Sequence, residues 1–113
     1  MTTEKSASAW YLYMIENKYN HLYTGISTDW QRRFQEHSSD GKKTAKALKG
    51  KGPLQLLFCA QLEDHHFALQ AEIWVKKQTR KTKLLLIAKQ VEMPFKHTAI
   101  HSTKLKELTQ GLL

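Results

Sequence analysis

Apolar and polar positions along this 113-residue chain change period several times, and each change predicts an element. From Trp10 to Ile15 every residue is apolar or aromatic, and in a strand Tyr11, Tyr13 and Ile15 share one face. The polar break from Glu16 to His21 holds the turn formers Asn17 and Asn20, after which Leu22 to Ile26 resumes strand chemistry. Strands over residues 10–16 and 21–26, joined as an antiparallel hairpin, are therefore expected. Thr28 followed by Gln31 fits a capping box, with Asp29 placed against the dipole of the helix that follows. That helix should bury Trp30 and Phe34, and it sets Arg33 and His37 one turn apart beside them.

Ser38 to Pro53 is polar, with Lys42, Lys43, Lys46, Lys49 and Lys51 against the single acid Asp40. It has room for a helical turn around Ala45 to Leu48. Leu54, Leu56, Phe58 and Ala60 then alternate with Gln55, Leu57, Cys59 and Gln61, the best period-two signal in the chain. A third strand over residues 54–61 with one consistent face follows from it. Asp64 caps a helix from about His65 to Lys77, with Ala68, Leu69, Ile73 and Val75 among its apolar positions and Glu72 on the same side. Lys83 to Glu92 reads as a third helix, or as a buried strand at Leu84 to Ile87, and Met93-Pro94 ends it. Residues 1–8 form a loose end, 9–92 the domain, and 93–113 a C-terminal extension, partly helical or disordered, with weak helical character over 103–108. The expected fold class is α/β, a small three-stranded antiparallel sheet flanked by helices.

Composition narrows the partners. Lys and Arg total 18 against 10 Asp and Glu, a net charge of +8, which favours an anionic partner, nucleic acid ahead of a membrane surface. Cys59 is the single cysteine, so no intrachain disulfide forms, and it reads as a small buried hydrophobe. No run approaches the roughly 18 apolar residues of a membrane span, and the N-terminus has no apolar signal core. A cytoplasmic protein with no membrane partner is expected, and a monomeric state is compatible with the sequence.

Tyr13, Tyr23, Arg33, His37 and Glu72 come from two strands and two helices that can face one cleft. Cutting a phosphodiester needs a base for water, a cation for the developing charge, a divalent ion, and a donor for the leaving oxygen. Glu72 can hold Mg²⁺, which takes few protein carboxylates and keeps several waters. Arg33 can grip a phosphate oxygen, and His37 can orient the water or donate to a phosphate. A tyrosine is a weak base near its free pKa of about 10, but a neighbouring guanidinium and metal ion would lower it. The five lysines of the 42–51 loop would hold DNA backbone on either side.

In this order the residues resemble the GIY-YIG nucleases, closest to their short stand-alone bacterial members. Tyr11-Leu12-Tyr13 and Tyr23-Thr24-Gly25 match the two strand motifs, Arg33-x-x-x-His37 the helix after them, and Ala71-Glu72 the later helix. The resemblance covers roughly residues 9–90. It implies DNA hydrolysis with one divalent ion, Mg²⁺ or Mn²⁺, with Tyr23 as general base and Glu72 as metal ligand. DNA repair or recombination is the setting that goes with such an endonuclease. Tyr11 stands where the family name has glycine, Thr24 fills the middle of the second motif, and asparagine occurs only at positions 17 and 20. Many members carry an asparagine after the glutamate helix.

Plainer readings stand beside these. The tyrosines are β-favoured packing residues, and Arg33 with His37 can be a solvated helix edge. Glu72 can pair with Lys76 one turn on. His97-x-x-x-His101 has the spacing of half a zinc site without further ligands, and His65-His66 is no more than a helix start. The rival from another class is a catalytically weak or inactive nucleic-acid-binding module with the same fold. A protein-interaction adaptor would need an exposed apolar patch.

Overall fold

The unbroken apolar run of β1 (Trp10–Glu16) is explained by its place: it lies between two strands of a sheet packed on both faces. The computed structural model describes residues 9–100. β2 (Leu22–Ser27) and β3 (Gln55–Leu62) pair antiparallel with β1 on either side, and β4 (His97–Ala99) adds to β3, giving the order β2-β1-β3-β4. The fold class expected from the sequence holds, with a fourth short strand drawn from the segment placed beyond the domain edge. Met93, also from that segment, is buried in the core. Expectations for residues 1–8 and 103–108, and for His101, lie outside the described residues.

In the hairpin, Asn17 is buried and its Oδ1 accepts from the amides of Tyr19 and His21, while Asn20 takes the left-handed conformation with φ 65°. Both asparagines are thus used in the turn.

α1 (Trp30–Ser38) begins one residue later than the Thr28-Gln31 box implies. Asp29 is the N-cap: its carboxylate accepts from the Arg32 amide at 3.1 Å, and its own amide donates to Ser27 Oγ at 3.0 Å. Asp29 reaches the third helical amide, which leaves Thr28 outside the helix. Trp30, Phe34 and His37 form the buried stripe.

The period-two reading of β3 needs correction. Met14 pairs with Phe58 but Ile15 pairs with Leu56, so Leu57 is an extra residue, a β-bulge. Leu54 and Leu56 therefore pack with Tyr13, Ile15, Trp30 and Phe34 on one face. Phe58, Ala60 and Leu62 pack with Leu12 and Met14 on the other.

That second face is covered by α2 (His65–Lys76) and α3 (Arg80–Ile87). The inward side of α2 is Ala68, Ala71 and Val75, whereas Leu69 and Ile73, expected inside, are 40% and 54% exposed. Small alanines let the helix approach the sheet closely, and the larger side chains are turned outward. α3 starts and ends earlier than the 83–92 span expected, because Thr79 Oγ1 accepts from the Thr82 amide. At the other end Lys89 adopts φ 63°, with Lys89 N donating to Leu86 O and Gln90 N to Leu85 O. This is a Schellman stop, built on a lysine rather than a glycine.

Candidate active site

Tyr13 and Gly25 sit opposite each other across β1 and β2. A Cβ on Gly25 would lie 2.5 Å from Tyr13 Oη and 2.7 Å from the ring carbon bearing it, so the tyrosine ring occupies the space a side chain would need. The glycine of Tyr23-Thr24-Gly25 is there to let the facing phenol lie flat on the strand. Tyr23 pairs with Ile15, diagonal to Tyr13 on the same face, and the two rings stand 6.5 Å apart.

His37 lies beneath both rings. It is buried, its ring centroid is 5.5 Å from that of Tyr23, and its Nε2 is 3.1 Å from Tyr13 Oη. The Ala45 amide donates to Nδ1 at 3.1 Å. An amide can only donate, so in the neutral ring the proton resides on Nε2 and is donated to Tyr13 Oη. Burial first, and then the Arg33 charge, push the His37 pKa down to about 4, so the ring is neutral at ordinary pH. Both ring nitrogens of His37 are thus engaged within the protein, Nε2 with Tyr13 and Nδ1 with the Ala45 amide. The ring holds Tyr13. Burial also pushes the Tyr13 phenol well above the ordinary tyrosine range, with Tyr23 adding to it and Arg33 opposing. Tyr13 is thus a neutral hydroxyl that accepts from His37 and keeps its own proton to donate.

Arg33 is anchored from the far side. Its Nη1 donates to Glu36 Oε1 at 2.9 Å and to the Lys43 carbonyl at 2.7 Å. Both Nη1 hydrogens are therefore used, and the guanidinium retains its other three N–H groups. Glu36 also meets Arg32 at 3.6 Å and Lys43 Nζ at 3.8 Å. The bonded Arg33 guanidinium, against a smaller effect of burial, holds the Glu36 carboxyl below the usual range, and Lys43 and Arg32 add to this. The buried Thr44 hydroxyl donates to the Glu36 carbonyl at 2.8 Å. Of the loop lysines, Lys46 opens a short 3-10 turn (Lys46–Leu48) whose Leu48 enters the core, and the Lys51 carbonyl accepts from the Lys18 amide. Lys42, Lys43, Lys46 and Lys49 are exposed, and Lys51 is half-buried.

Glu72 borders the inward side of α2, half-buried, and its charge adds to the upward push on Tyr13. Lys76 Nζ meets its Oε2 at 3.1 Å, the pairing weighed from sequence. The donor set beside the tyrosines is one carboxylate and phenol oxygens, all hard oxygen ligands, which fits a Mg²⁺ or Mn²⁺ ion that keeps most of its water. His97 lies in β4 and not on a helix, so the helical zinc spacing read at 97–101 does not arise.

All five expected residues thus gather around the β1–β2 hairpin. Sequence reading passed over three that hold them: Glu36, the Ala45 amide and Gly25 as a steric requirement. Glu36 had a visible signal, being three and four residues from Arg33 and Arg32. The Ala45 amide had none.

Comparison with known proteins identifies the family. The GIY-YIG catalytic domain matches residues 9–84. The UPF0213 protein YhbQ of Escherichia coli O8 (strain IAI1) is 52% identical over 79 residues, 70% of this chain and 77% of that protein. Its counterpart in Escherichia coli K12 is 51% identical over the same length. The solution NMR structure of the UPF0213 protein BH0048 from Bacillus halodurans is 33% identical and covers 73% of this chain and 85% of that one, with a TM-score of 0.48. No helix among the described residues is long and apolar enough to cross a membrane. With the family match spanning most of the chain and the motif residues in place, this protein belongs to the GIY-YIG nuclease family.

Proposed function

We propose that the protein is an endonuclease that hydrolyses DNA phosphodiesters with the help of one divalent ion, in the setting of DNA repair or recombination. The observation that supports it is the hydrogen-bonded Tyr13–His37 pair packed against Tyr23, with Arg33 and Glu72 both acting on the Tyr13 hydroxyl. Glu72 would hold Mg²⁺ or Mn²⁺, and the ion would supply a Lewis acid for the scissile phosphate. Tyr23, as the general base, takes a proton from the attacking water as the new P–O bond forms, while the P–O bond to the leaving sugar oxygen breaks and that oxygen takes a proton from solvent. Tyr13 donates its hydroxyl proton as a hydrogen bond to a phosphate oxygen, held in place by His37 behind it. Arg33 meets the developing negative charge with its remaining N–H groups. The lysines at 42, 43, 46, 49 and 51 hold backbone phosphates beside it.

The test is purified protein on nicked, branched and single-stranded DNA with Mg²⁺, Mn²⁺ or EDTA. Glu72→Gln and Tyr23→Phe should keep folding and binding while cleavage falls by orders of magnitude. If both cut as well as the parent, the five residues are scaffolding. The Glu72–Lys76 ion pair favours a second reading, a binding module whose metal position is filled by its own lysine. A parent that binds DNA but cuts under no metal would establish that reading instead.

A further inference from the structure

Residues 76–83 read Lys-Lys-Gln-Thr-Arg-Lys-Thr-Lys, five cations and no acid in eight positions. Lys76, Lys77, Arg80 and Lys81 are exposed and Lys83 is half-buried. Lys76 and Lys77 end α2, where the helix dipole favours cations. The other three are not explained this way. They open α3, which has no acid in its first turn, and cations there face the positive end of the dipole. Solubility alone does not require that placement; an anion supplied from outside relieves it.

We propose, on the basis of the nuclease reading above, that this junction of α2 and α3 is a second clamp for the phosphate backbone of duplex DNA. Its position supports a link to the site: Lys76 meets the Glu72 carboxylate at 3.1 Å, and Lys77 follows it along the same helix. At a rise of about 1.5 Å per residue, these lysines lie only about 6–8 Å along the axis from Glu72. The 42–51 loop contributes Leu48 to one face of the sheet and is tied to Arg33 through the Lys43 carbonyl. α2 and α3 pack on the other face. α2 packs against β2 and β1 and α3 against β3, so one basic cluster lies on each side of the sheet, and a duplex that passes from the 42–51 loop over Glu72 to the end of α2 meets both. The Lys76 side of the ion pair is exposed to solvent, so the lysine can pass from the half-buried Glu72 to a phosphate.

The test uses the full chain with Lys77, Arg80, Lys81 and Lys83 all changed to Gln, binding a short blunt duplex in EDTA so that nothing is cut. With about 0.9 in slope per phosphate contact, log K against log salt should flatten by about 3–4. Changing Lys77, Lys81 and Lys83 to Arg instead should keep the parental slope. Melting curves check the fold, and removing cations from a helix start should not lower them. Should the fourfold variant misfold, Lys77→Gln with Lys81→Gln, both exposed, should flatten the slope by about 2. A folded Gln variant with parental affinity and slope overturns the clamp, as does a parent that prefers anionic phospholipid vesicles to duplex at equal salt. The two readings fail separately. A parent that binds with this slope yet never cuts sinks the nuclease and leaves the clamp. A parent that cuts while its Gln variant binds unchanged does the reverse.

Discussion

Gly25→Ala adds one methyl group at the point where the structure has least room for it. The new Cβ would stand 2.5, 2.7 and 3.0 Å from three atoms of the Tyr13 phenol, where ordinary contacts begin near 3.4 Å. The Gly25 backbone is not in the left-handed region, so the penalty is steric rather than conformational. Overpacking of this kind costs about 1–3 kcal/mol. The ring can yield only by leaving His37, whose Nε2 proton then has no acceptor in a buried site, a further cost of about 1–3 kcal/mol. Together they place the loss at roughly 2–6 kcal/mol, a fall in melting temperature of roughly 10–30 °C for a chain of this size. Urea unfolding of the parent and variant measures it. The decisive arm repeats the substitution in a Tyr13→Ala background, where the ring is gone. There the methyl group should cost nothing, or stabilise by up to about 1 kcal/mol through the stiffer unfolded chain. An equal loss in both backgrounds would refute the argument that Gly25 exists to seat Tyr13.

Acid should act through His37. Its pKa is 6.5 unfolded and about 4 folded, so its contribution to stability is intact above about 6.5 and is lost as pH falls toward 4. The loss approaches about 3 kcal/mol at the bottom of that window, and a pH series of unfolding curves in which His37→Gln shows the same slope would contradict it. Cys59 is fully buried and its thiol is pushed far up by burial, so a thiol reagent should label it only on unfolding; rapid labelling of the native chain would refute this. Thr44→Val removes the donor to the Glu36 carbonyl and the acceptor of the Gly41 amide, and should lower stability by about 1–3 kcal/mol in thermal melts. Lys76→Gln frees Glu72 and should tighten Mn²⁺ binding measured by electron paramagnetic resonance, at a stability loss of no more than about 1 kcal/mol.

The hairpin, α1 and α2 were legible because their signals are local: an aromatic run, a capping acid, an i, i+4 pair. The order of Tyr13, Tyr23, Arg33, His37 and Glu72 was legible for the same reason. What escaped depends on neighbours distant in sequence. Leu57 becomes a bulge only because Met14 and Ile15 pair across it, and the alternation around it looked regular. Leu69 and Ile73 face outward because the sheet accepts the alanines of α2 at close range. The second partner of His37 was hidden because it is an amide eight residues away. The three residues of β4 form a strand only against an existing edge.

The bulge at Leu57 also bears on which length changes this gene product can tolerate. On its C-terminal side β3 sends Phe58, Ala60 and Leu62 to one core, and on its N-terminal side Leu54 and Leu56 to the other. Losing Leu57 or either of its neighbours would straighten the ladder and rotate one half of the strand by a face. Either Phe58 would turn toward Trp30 and Phe34, or Leu56 would turn away from them. Substitution at Leu57, which is half-buried, is a mild event by comparison. Insertions and deletions, not point changes, should therefore be the events most strongly purged here, with the polar turn at residues 17–21 the nearest place where the chain can change length without moving Tyr13.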